Sequence, residues 1–340
     1  MRRRSFFLGL AGAAGCTRSS AGRLNVYNWS DYVAPETIPG FEAEFGVRVR
    51  YGVYESTEEM LAKVFGGNSG WDVAFPPNSF IHPMLRNGLL ARLRHEWLPN
   101  LDHLDVEFRH PSWDPQLGWS TPYMWGSTGI VYSRRLPLVP RSWADLWDDR
   151  LRGRLTMLDD PAETLGAALK KLGYSINSTV PDQLIEAKRE LVRQKRLVRA
   201  YVNAEVRDPL VAGDVLAAQA WSITAEQAIG ASPDLAFVHP GEGFALYADC
   251  AVILRESRRL ELAHKFIDYL LRPKVAAAAA RAVSTATVNG SARAMLPEAL
   301  QNNAVLYPPP EVLARGEWFQ TMPAAAQRLR DRLWTEIKSS

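Results

Sequence analysis

The chain has 340 residues, of which 47% are hydrophobic and 23% charged, a composition that excludes a disordered protein. Its 40 Lys and Arg residues against 37 Asp and Glu residues give a formal net charge of +3. Three of the basic residues are Arg2, Arg3 and Arg4, and the rest of the chain carries 37 basic and 37 acidic residues. This balance argues against a general basic surface for nucleic acid, and the length suffices for two medium-sized domains.

Residues 1–15 have the layout of an export signal. Three arginines precede an apolar run, residues 6–14, that is too short to span a bilayer. The segment Arg3-Arg4-Ser5-Phe6-Phe7 is similar to a twin-arginine signal, and a general secretory signal is the alternative. We therefore expect the mature protein in the periplasm or at the outer face of the membrane.

Cys16 follows Ala13-Ala14-Gly15, and this stretch is similar to the lipobox of bacterial lipoproteins, with Ala13 where leucine is usual. In a lipobox the cysteine is acylated, which would attach the protein to the membrane without a spanning helix. The alternative is plain cleavage that leaves Cys16 unmodified. Cys250 is the only other cysteine and is expected to be a small buried residue.

A short polar linker, residues 16–22, leads into alternating strands and helices. The predicted strands are residues 24–27, 47–51 and 71–75, and the predicted helices are residues 35–45 and 56–65. Gly46 ends the first helix, and Ser56 with Glu59 forms a capping box at the start of the second. This order indicates a mostly parallel sheet with helices covering it.

The same alternation recurs after residue 150. The predicted strands are residues 155–158, 215–221, 235–238 and 247–254; the predicted helices are residues 160–172, 181–197, 260–282 and the tail from residue 311, after a Pro-rich loop at 297–310. Residues 122–129 and 241–249 are interpreted as crossovers between two α/β lobes, with a ligand cleft between the lobes. The expected limits are residues 23–127 and about 249–290 for the first lobe, and about 128–248 and 291–340 for the second.

Enzyme signatures are missing from the sequence. It contains no P-loop, GxSxG, CxxC or HExxH motif, and Gly241-Glu242-Gly243 lacks the third glycine of a dinucleotide fingerprint. Asp102, His103, Asp105 and His110 could form a metal cluster, but a solvated loop is the favoured interpretation. The sequence therefore predicts an exported ligand receptor rather than an enzyme, with neither a metal nor a cofactor.

Several motifs, in this order along the chain, resemble the bacterial spermidine/putrescine-binding proteins that serve ABC transporters. They are VYNWSDYV at 26–33, YES at 54–56, PYMWG at 122–126, SWADLW at 142–147, DDPAE at 159–163 and GEW at 316–318. The resemblance extends over roughly residues 23–335. It implies an α/β fold of the periplasmic-binding-protein type, a monomer that captures a polyamine between its lobes and then docks on a membrane permease.

A polyamine is a flexible apolar chain with several ammonium groups, so its site needs separated carboxylates and aromatic walls. By matching motifs, the resemblance implies ligand contacts from Trp29, Ser30, Asp31, Tyr32, Asp160, Glu163, Trp221, Tyr247 and Asp249, where Tyr247 replaces a family tryptophan. Asp160 and Glu163 also match a capping box, which is a structural alternative. Tyr123 and Trp125 could line the cleft as well, although packing at the hinge explains them equally.

Other positions depart from the family pattern. Ser79 and Thr285 stand where the family has tyrosines, Pro77 where it has a serine, and a family glutamine aligns with Phe319, with Gln320 one place off. Because these positions set ligand length while the carboxylates are kept, the sequence indicates a polycation more firmly than spermidine. The alternatives are the same fold with another cationic solute, namely a cationic amino acid, another amine or a ferric ion, and an exported enzyme or polyamine sensor.

Overall fold

The computed structural model describes residues 22–340, so the expected export signal, Cys16 and residues 17–21 of the linker lie outside the described residues. Within this range eleven strands form one mixed sheet. The strands are β1 (Arg23–Trp29), β2 (Arg48–Tyr54), β3 (Val73–Ala74), β4 (Thr121–Ser133), β5 (Leu155–Met157), β6 (Val198–Tyr201), β7 (Ala217–Trp221), β8 (Leu235–Val238), β9 (Phe244–Ile253), β10 (Ala286–Thr287) and β11 (Gly316–Trp318).

Thirteen α-helices of the described range cover the sheet. They are α1 (Thr37–Phe45), α2 (Thr57–Phe65), α3 (Ile81–Arg86), α4 (Pro161–Lys171), α5 (Pro181–Gln194), α6 (Arg207–Ala212), α7 (Ser222–Ala231), α8 (Leu260–Leu271), α9 (Pro273–Val283), α10 (Gly290–Arg293), α11 (Glu298–Gln301), α12 (Pro310–Leu313) and α13 (Ala324–Ser339). Short 3-10 helices are Asn78–Phe80, His95–Trp97, Pro99–His103, Val106–Phe108, Trp143–Trp147, Asp149–Leu151 and Ala204–Val206.

The sheet consists of two α/β halves joined by two long strands. Its strand order is β2-β1-β3-β9-β4-β7-β5-β6, and β1 pairs in parallel with β2 and β3 as β5 does with β6 and β7. The first part of β4, up to Ser127, pairs antiparallel with β9, and the rest, from Thr128, pairs with β7. β4 therefore crosses from one half to the other, and the predicted two-lobed fold with crossover strands is confirmed.

Local signals begin and end several helices as expected. The Ser56 hydroxyl accepts a hydrogen bond from the Glu59 amide at 3.1 Å and so caps α2. Gly46 ends α1 with a φ of +62°, a left-handed conformation that glycine adopts without steric cost. Helix α1 packs on α8 through Phe41 and Phe266, whose ring centroids lie 5.0 Å apart. These contacts fix the helices against the sheet of the first half.

The single helix predicted at 260–282 is wrong, because the chain forms two helices there. Arg272, between α8 and α9, has an extended backbone with φ −61° and ψ 132°. Pro273 explains the break, since it lacks an N–H for the preceding helix and its ring disfavours a helical conformation in the residue before it. Proline is then well placed at the first position of α9.

The C-terminal prediction is also partly wrong. Strand β11 interrupts the expected helical tail and pairs in parallel with residues 244–246 of β9, and α11 lies inside the expected loop. Helix α7 was not predicted. Its buried residues are Ser222, Thr224, Ala225 and Ala228, and such small and polar side chains produce no apolar stripe in the sequence.

Some residues singled out in the sequence have structural roles. Cys250 is fully buried on β9 as a free thiol, as expected. His103 Nδ1 lies 3.0 Å from the Ser291 hydroxyl, and His110 Nδ1 lies 3.0 Å from the Pro115 carbonyl oxygen. Across residues 22–340 no group of three or more His, Cys, Asp or Glu side chains is arranged to hold a metal ion.

Candidate functional site

The candidate site is built on the crossover strands. In antiparallel strands, directly opposite residues point to the same face, and so do alternate residues of one strand. Three alternate positions of β4 thus define one row of partner residues, which we call the cleft row. It consists of Asp249 opposite Met124, Tyr247 opposite Gly126, and Trp221 opposite Thr128. Asp249 and Tyr247, two residues apart on β9, are separated by roughly 7 Å. Trp221 lies on β7, across β4 from them.

Asp249 is a buried carboxylate, 5% exposed. Its Oδ2 accepts a hydrogen bond from the Tyr32 hydroxyl at 2.6 Å. Burial raises the pKa of Asp249 to about 7, and the hydrogen bond from Tyr32 acts in the opposite direction. Among residues 22–340 no basic side chain forms an ion pair with it, so the site offers an acceptor that suits a cation.

Glu163 is the second buried carboxylate, 4% exposed. Its Oε1 accepts hydrogen bonds from the Thr128 hydroxyl and from the Trp221 indole N–H, both at 2.8 Å. Burial and the neighbouring Asp160 raise the pKa of Glu163. The side chain therefore faces the cleft row from α4. It does not accept a hydrogen bond from the backbone N–H of Asp160, as a capping box would require.

Asp160 is the N-cap of α4. Its Oδ1 accepts hydrogen bonds from the Ala162 amide at 2.8 Å and the Glu163 amide at 3.0 Å. The capping interpretation is thus confirmed for Asp160 alone. Burial raises the pKa of Asp160, and the charges of Glu58 and Asp159 add to this increase. Helix α4 consequently begins with two carboxyl groups of unusually high proton affinity.

The segment after β1 supplies side chains from the first half. The Trp29 ring lies 4.6 Å from the Tyr54 ring, and its indole N–H donates to the Phe75 carbonyl at 3.1 Å. The Ser30 hydroxyl is hydrogen-bonded to Glu55. Asp31 is exposed and has a φ of +50°, a left-handed conformation that aspartate tolerates better than most residues. This turn sends the chain back so that Tyr32 reaches Asp249.

Tyr247 occupies the middle of the cleft row, where Gly126 leaves room for it. A methyl group on Gly126 would lie 2.6 Å from Tyr247 Cζ and 3.0 Å from the Ser222 hydroxyl oxygen. Burial raises the pKa of the Tyr247 hydroxyl, and the charges of Asp249 and Glu163 raise it further. The hydroxyl therefore lies within electrostatic reach of both buried acids.

The remaining aromatic candidates on β4 support the site by packing. The buried Tyr123 donates its hydroxyl hydrogen to the Tyr32 carbonyl oxygen at 2.8 Å and packs against Phe75 with ring centroids 5.1 Å apart. Trp125 is buried beside Phe108, with ring centroids 5.8 Å apart. Tyr123 thus holds the Tyr32 backbone in place, whereas Trp125 belongs to the core at the junction of the halves.

Within residues 22–340, no hydrogen bond joins the other three candidates, Ser79, Thr285 and Gln320, to the buried acids. Ser79 accepts a hydrogen bond through its carbonyl oxygen from the Thr321 hydroxyl at 2.9 Å. Thr285 is buried. Gln320 is exposed, and its backbone N–H donates to the Asn177 side-chain oxygen at 3.0 Å.

Two residues of the site were missed in the sequence. Thr128 holds Glu163, and the signal available for it was the run of small residues at 126–129, which follows aromatic residues in the stretch 122–129. Asn78 is fully buried; its Nδ2 donates to the Phe319 carbonyl at 2.8 Å, and its Oδ1 accepts from the Ala248 amide at 3.1 Å. It thereby attaches the loop after β3 to the residue before Asp249, a contact that no local pattern indicates.

A profile of the bacterial extracellular solute-binding proteins matches residues 37–307. The chain belongs to this family. It is 33% identical over 319 residues to the spermidine/putrescine-binding periplasmic protein of Escherichia coli, an alignment covering 93% of this chain and 91% of that protein. It is 31% identical over 343 residues to the putrescine/cadaverine-binding protein of Pseudomonas aeruginosa, covering 97% and 96%. The resemblance in the motifs is confirmed.

Solved structures of the family share the fold. The substrate-binding protein of the Streptococcus pneumoniae spermidine/putrescine ABC transporter superposes with a TM-score of 0.83 at 30% identity, covering 94% of this chain and 99% of that one. The family consists of solute-binding proteins of transporters rather than enzymes, and its members work in the periplasm or outside the cell. Within residues 22–340, no helix combines the length and apolar character that a membrane span requires.

Proposed function

We propose that this extracellular solute-binding protein captures a polyamine for uptake by an ABC transporter. The observation that carries the proposal is a pair of buried carboxyl groups: Asp249 at one end of the cleft row, and Glu163, which is hydrogen-bonded to Trp221 at the other end, with Tyr247 between them. A buried carboxylate without a basic partner is costly unless a cation compensates it. A chain of methylenes with an ammonium at each end matches two acids separated by an aromatic ring. The names of the relatives support the same ligand class.

The proposed contacts come from both halves of the molecule. Trp29, Ser30, Asp31 and Tyr32 would contribute from the first lobe, Asp160, Glu163 and Trp221 from the second, and Tyr247 and Asp249 from β9. The aromatic faces would contact methylenes and attract ammonium groups. Because these contacts exist together only when the lobes are close, ligand binding would favour the closed form. No catalytic step is part of the proposal.

The lobe limits expected from the sequence, residues 23–127 with about 249–290 and about 128–248 with 291–340, are kept in this proposal with one change at the end of the first lobe. The change of partner along β4 between Ser127 and Thr128 supports the first limit. Ala292 and Leu296 form an apolar cluster with α9, which favours an extension of the first lobe to about residue 300. Strand β11 would then begin the return to the second lobe.

We also propose that residues 1–15 direct export and that Cys16 carries an acyl anchor. A monomer tethered to the outer face of the membrane would deliver its ligand to a permease, with a separate ATPase supplying energy. Metabolic labelling with a radioactive fatty acid tests the anchor. Label should appear in the wild-type protein and be lost in Cys16→Ser, and an unlabelled wild type would contradict it.

A thermal-shift panel tests the function. The mature protein is heated with putrescine, cadaverine, spermidine, spermine, arginine and ferric citrate, each at millimolar concentration. A ligand at a hundred times its Kd stabilises the folded state by about 2.7 kcal/mol, which is a shift of a few degrees. We expect shifts with at least one polyamine. A shift of the melting temperature with arginine or iron alone would mean that the protein binds another cationic solute. The absence of a shift with every polyamine would refute the proposal.

Asp160→Asn separates the two roles of Asp160. Asparagine caps helices about as well as aspartate, so the melting temperature should change little. If the carboxylate also binds an ammonium group, polyamine affinity should fall about tenfold or more. Asp160→Ala is the control for the cap, whose loss costs about 1 kcal/mol of stability. Unchanged affinity in Asp160→Asn would restrict Asp160 to its structural role.

Gly126→Ala should weaken polyamine binding about tenfold. The added methyl group overlaps the Tyr247 ring and would push it into the cleft. Overpacking of this kind costs about 1–3 kcal/mol. Gly230→Ala in α7 is the matched control, because its methyl group would meet no atom within 4 Å. Isothermal titration should show wild-type affinity for that control. Equal affinities for both variants would show that the position of Tyr247 is unimportant.

A further inference from the structure

Thr128 is a buried hydroxyl on the crossover strand whose role the family resemblance does not supply. Its side chain is on the face of the cleft row, opposite Trp221, and it is fully buried. The Thr128 hydroxyl and the Trp221 indole N–H donate to the same oxygen, Oε1 of Glu163. Within residues 22–340, Oε2 of Glu163 accepts no hydrogen bond. One carboxylate oxygen is thus held by the protein, and the other is left for a ligand.

We propose that Thr128 is a positioning residue for ligand capture, holding Oε1 of Glu163 so that Oε2 is presented to an ammonium group in the cleft. The inference rests on the proposed polyamine function and adds a residue that acts through Glu163. Two donors from neighbouring strands, directly opposite each other, fix both the place and the rotation of the carboxylate plane. Neither donor carries a charge, so the negative charge of Glu163 stays available to the ligand.

The donors also set the charge of Glu163, because hydrogen bonds to a carboxylate favour its ionised form. Asp160, the N-cap of the same helix, disfavours ionisation of Glu163. Tyr247, from β9, has a raised pKa and stays neutral, so it brings no charge that would compensate Glu163. From β7, the neutral Gln219 donates to the Glu163 backbone carbonyl at 2.9 Å.

Basic residues nearby are engaged elsewhere. Lys170 of α4 pairs with Glu317. Burial lowers the pKa of Arg330 of α13 to about 10, with the charge of Asp160 acting in the opposite direction. Arg330 donates to the Ile176 and Ser178 carbonyl oxygens. Thr128 and Trp221 are therefore the groups in contact with the Glu163 carboxylate that favour its charge.

The test compares Thr128→Val, which keeps the shape and removes the hydroxyl, with Thr128→Ser, which keeps the hydroxyl. Affinities for putrescine and spermidine are measured by isothermal titration between pH 6 and pH 9, together with melting temperatures. At pH 7.5 we expect Thr128→Val to bind about tenfold more weakly, as for the loss of a hydrogen bond to a charged group. Thr128→Ser should stay within about twofold of the wild type. The pH at which affinity is half-maximal should move upward in Thr128→Val alone.

A merely structural role would lower the melting temperature without moving that pH profile. An unshifted profile in Thr128→Val, or equal losses in the valine and serine variants, would overturn the inference. If Thr128→Val does not fold, Thr128→Ala gives the same comparison with less crowding. Wild-type protein that binds no polyamine would instead refute the proposed function, so the two failures are distinguishable.

Discussion

Asp249→Asn is expected to weaken polyamine binding at least about a hundredfold while the protein still folds. The carboxylate is buried on β9 and lacks a basic partner among the described residues, so a bound ammonium would be its compensating charge. Removal of one partner from a buried charge pair costs about 3–5 kcal/mol, which corresponds to factors of roughly a hundred to several thousand. The amide oxygen of asparagine can still accept the hydrogen bond from Tyr32.

Although Asp249→Asn loses affinity, the unliganded variant should gain stability relative to the wild type at high pH. Because burial raises the folded-state pKa of Asp249 to about 7, the folded protein binds more protons than the unfolded chain between about pH 4 and pH 7. The free energy of unfolding therefore falls as pH rises through this window. Asparagine has no such dependence, so Asp249→Asn should be at least as stable as the wild type at pH 8, with the advantage gone near pH 4.

Asp72→Asn is the matched control. Asp72 is similarly buried, 6% exposed, but it is hydrogen-bonded within the fold, to the Asn25 amide at 2.8 Å and the Ser257 hydroxyl at 2.6 Å. Its replacement should lower the melting temperature and leave affinity unchanged. Titration calorimetry and thermal unfolding of both variants measure the contrast. If Asp249→Asn binds polyamines like the wild type, Asp249 is not a ligand group.

Much of the fold follows from local sequence. Ser56 and Gly46 mark helix ends because capping and left-handed geometry depend on the residue type at one position. The two-lobed arrangement was predictable for a related reason, since strands alternating with helices form parallel sheets with crossover connections. The break at Pro273 follows from the same rules, although the alanine-rich stretch after it has a high helix propensity.

The parts that escaped prediction depend on partners distant in sequence. Strand β11 has only three residues, and it forms because its backbone pairs in parallel with residues 244–246 of β9. Glu163 illustrates the same limit within the site. The DDPAE motif fits a capping box in which Glu163 would bond to the start of its own helix. In the structure the Glu163 side chain is instead hydrogen-bonded to Thr128 and Trp221, which are 35 and 58 residues away. The acids that the family resemblance selects, Asp249 and Glu163, are both buried, and their role in ligand binding stays a prediction.

Polyamine affinity should rise with pH between pH 6 and pH 8. The ligand's ammonium groups, like that of lysine, stay charged in this range, so the change comes from the protein. A carboxyl group with a pKa of about 7 is mostly protonated at pH 6 and mostly ionised at pH 8, which alone changes affinity roughly tenfold. Glu163, whose pKa is also raised, adds to this increase. Ligand capture should therefore displace protons from the cleft.

Calorimetry in buffers of different ionisation enthalpy measures this exchange. At pH 7 the apparent binding enthalpy should depend on the buffer, with a slope that corresponds to proton release. Asp249→Asn should show a smaller slope and a flatter affinity profile, because one of the titrating groups is gone. Affinity that is constant from pH 6 to pH 8, with a buffer-independent enthalpy, would mean that the cleft acids are already ionised. Their burial would then be compensated by groups other than the ligand.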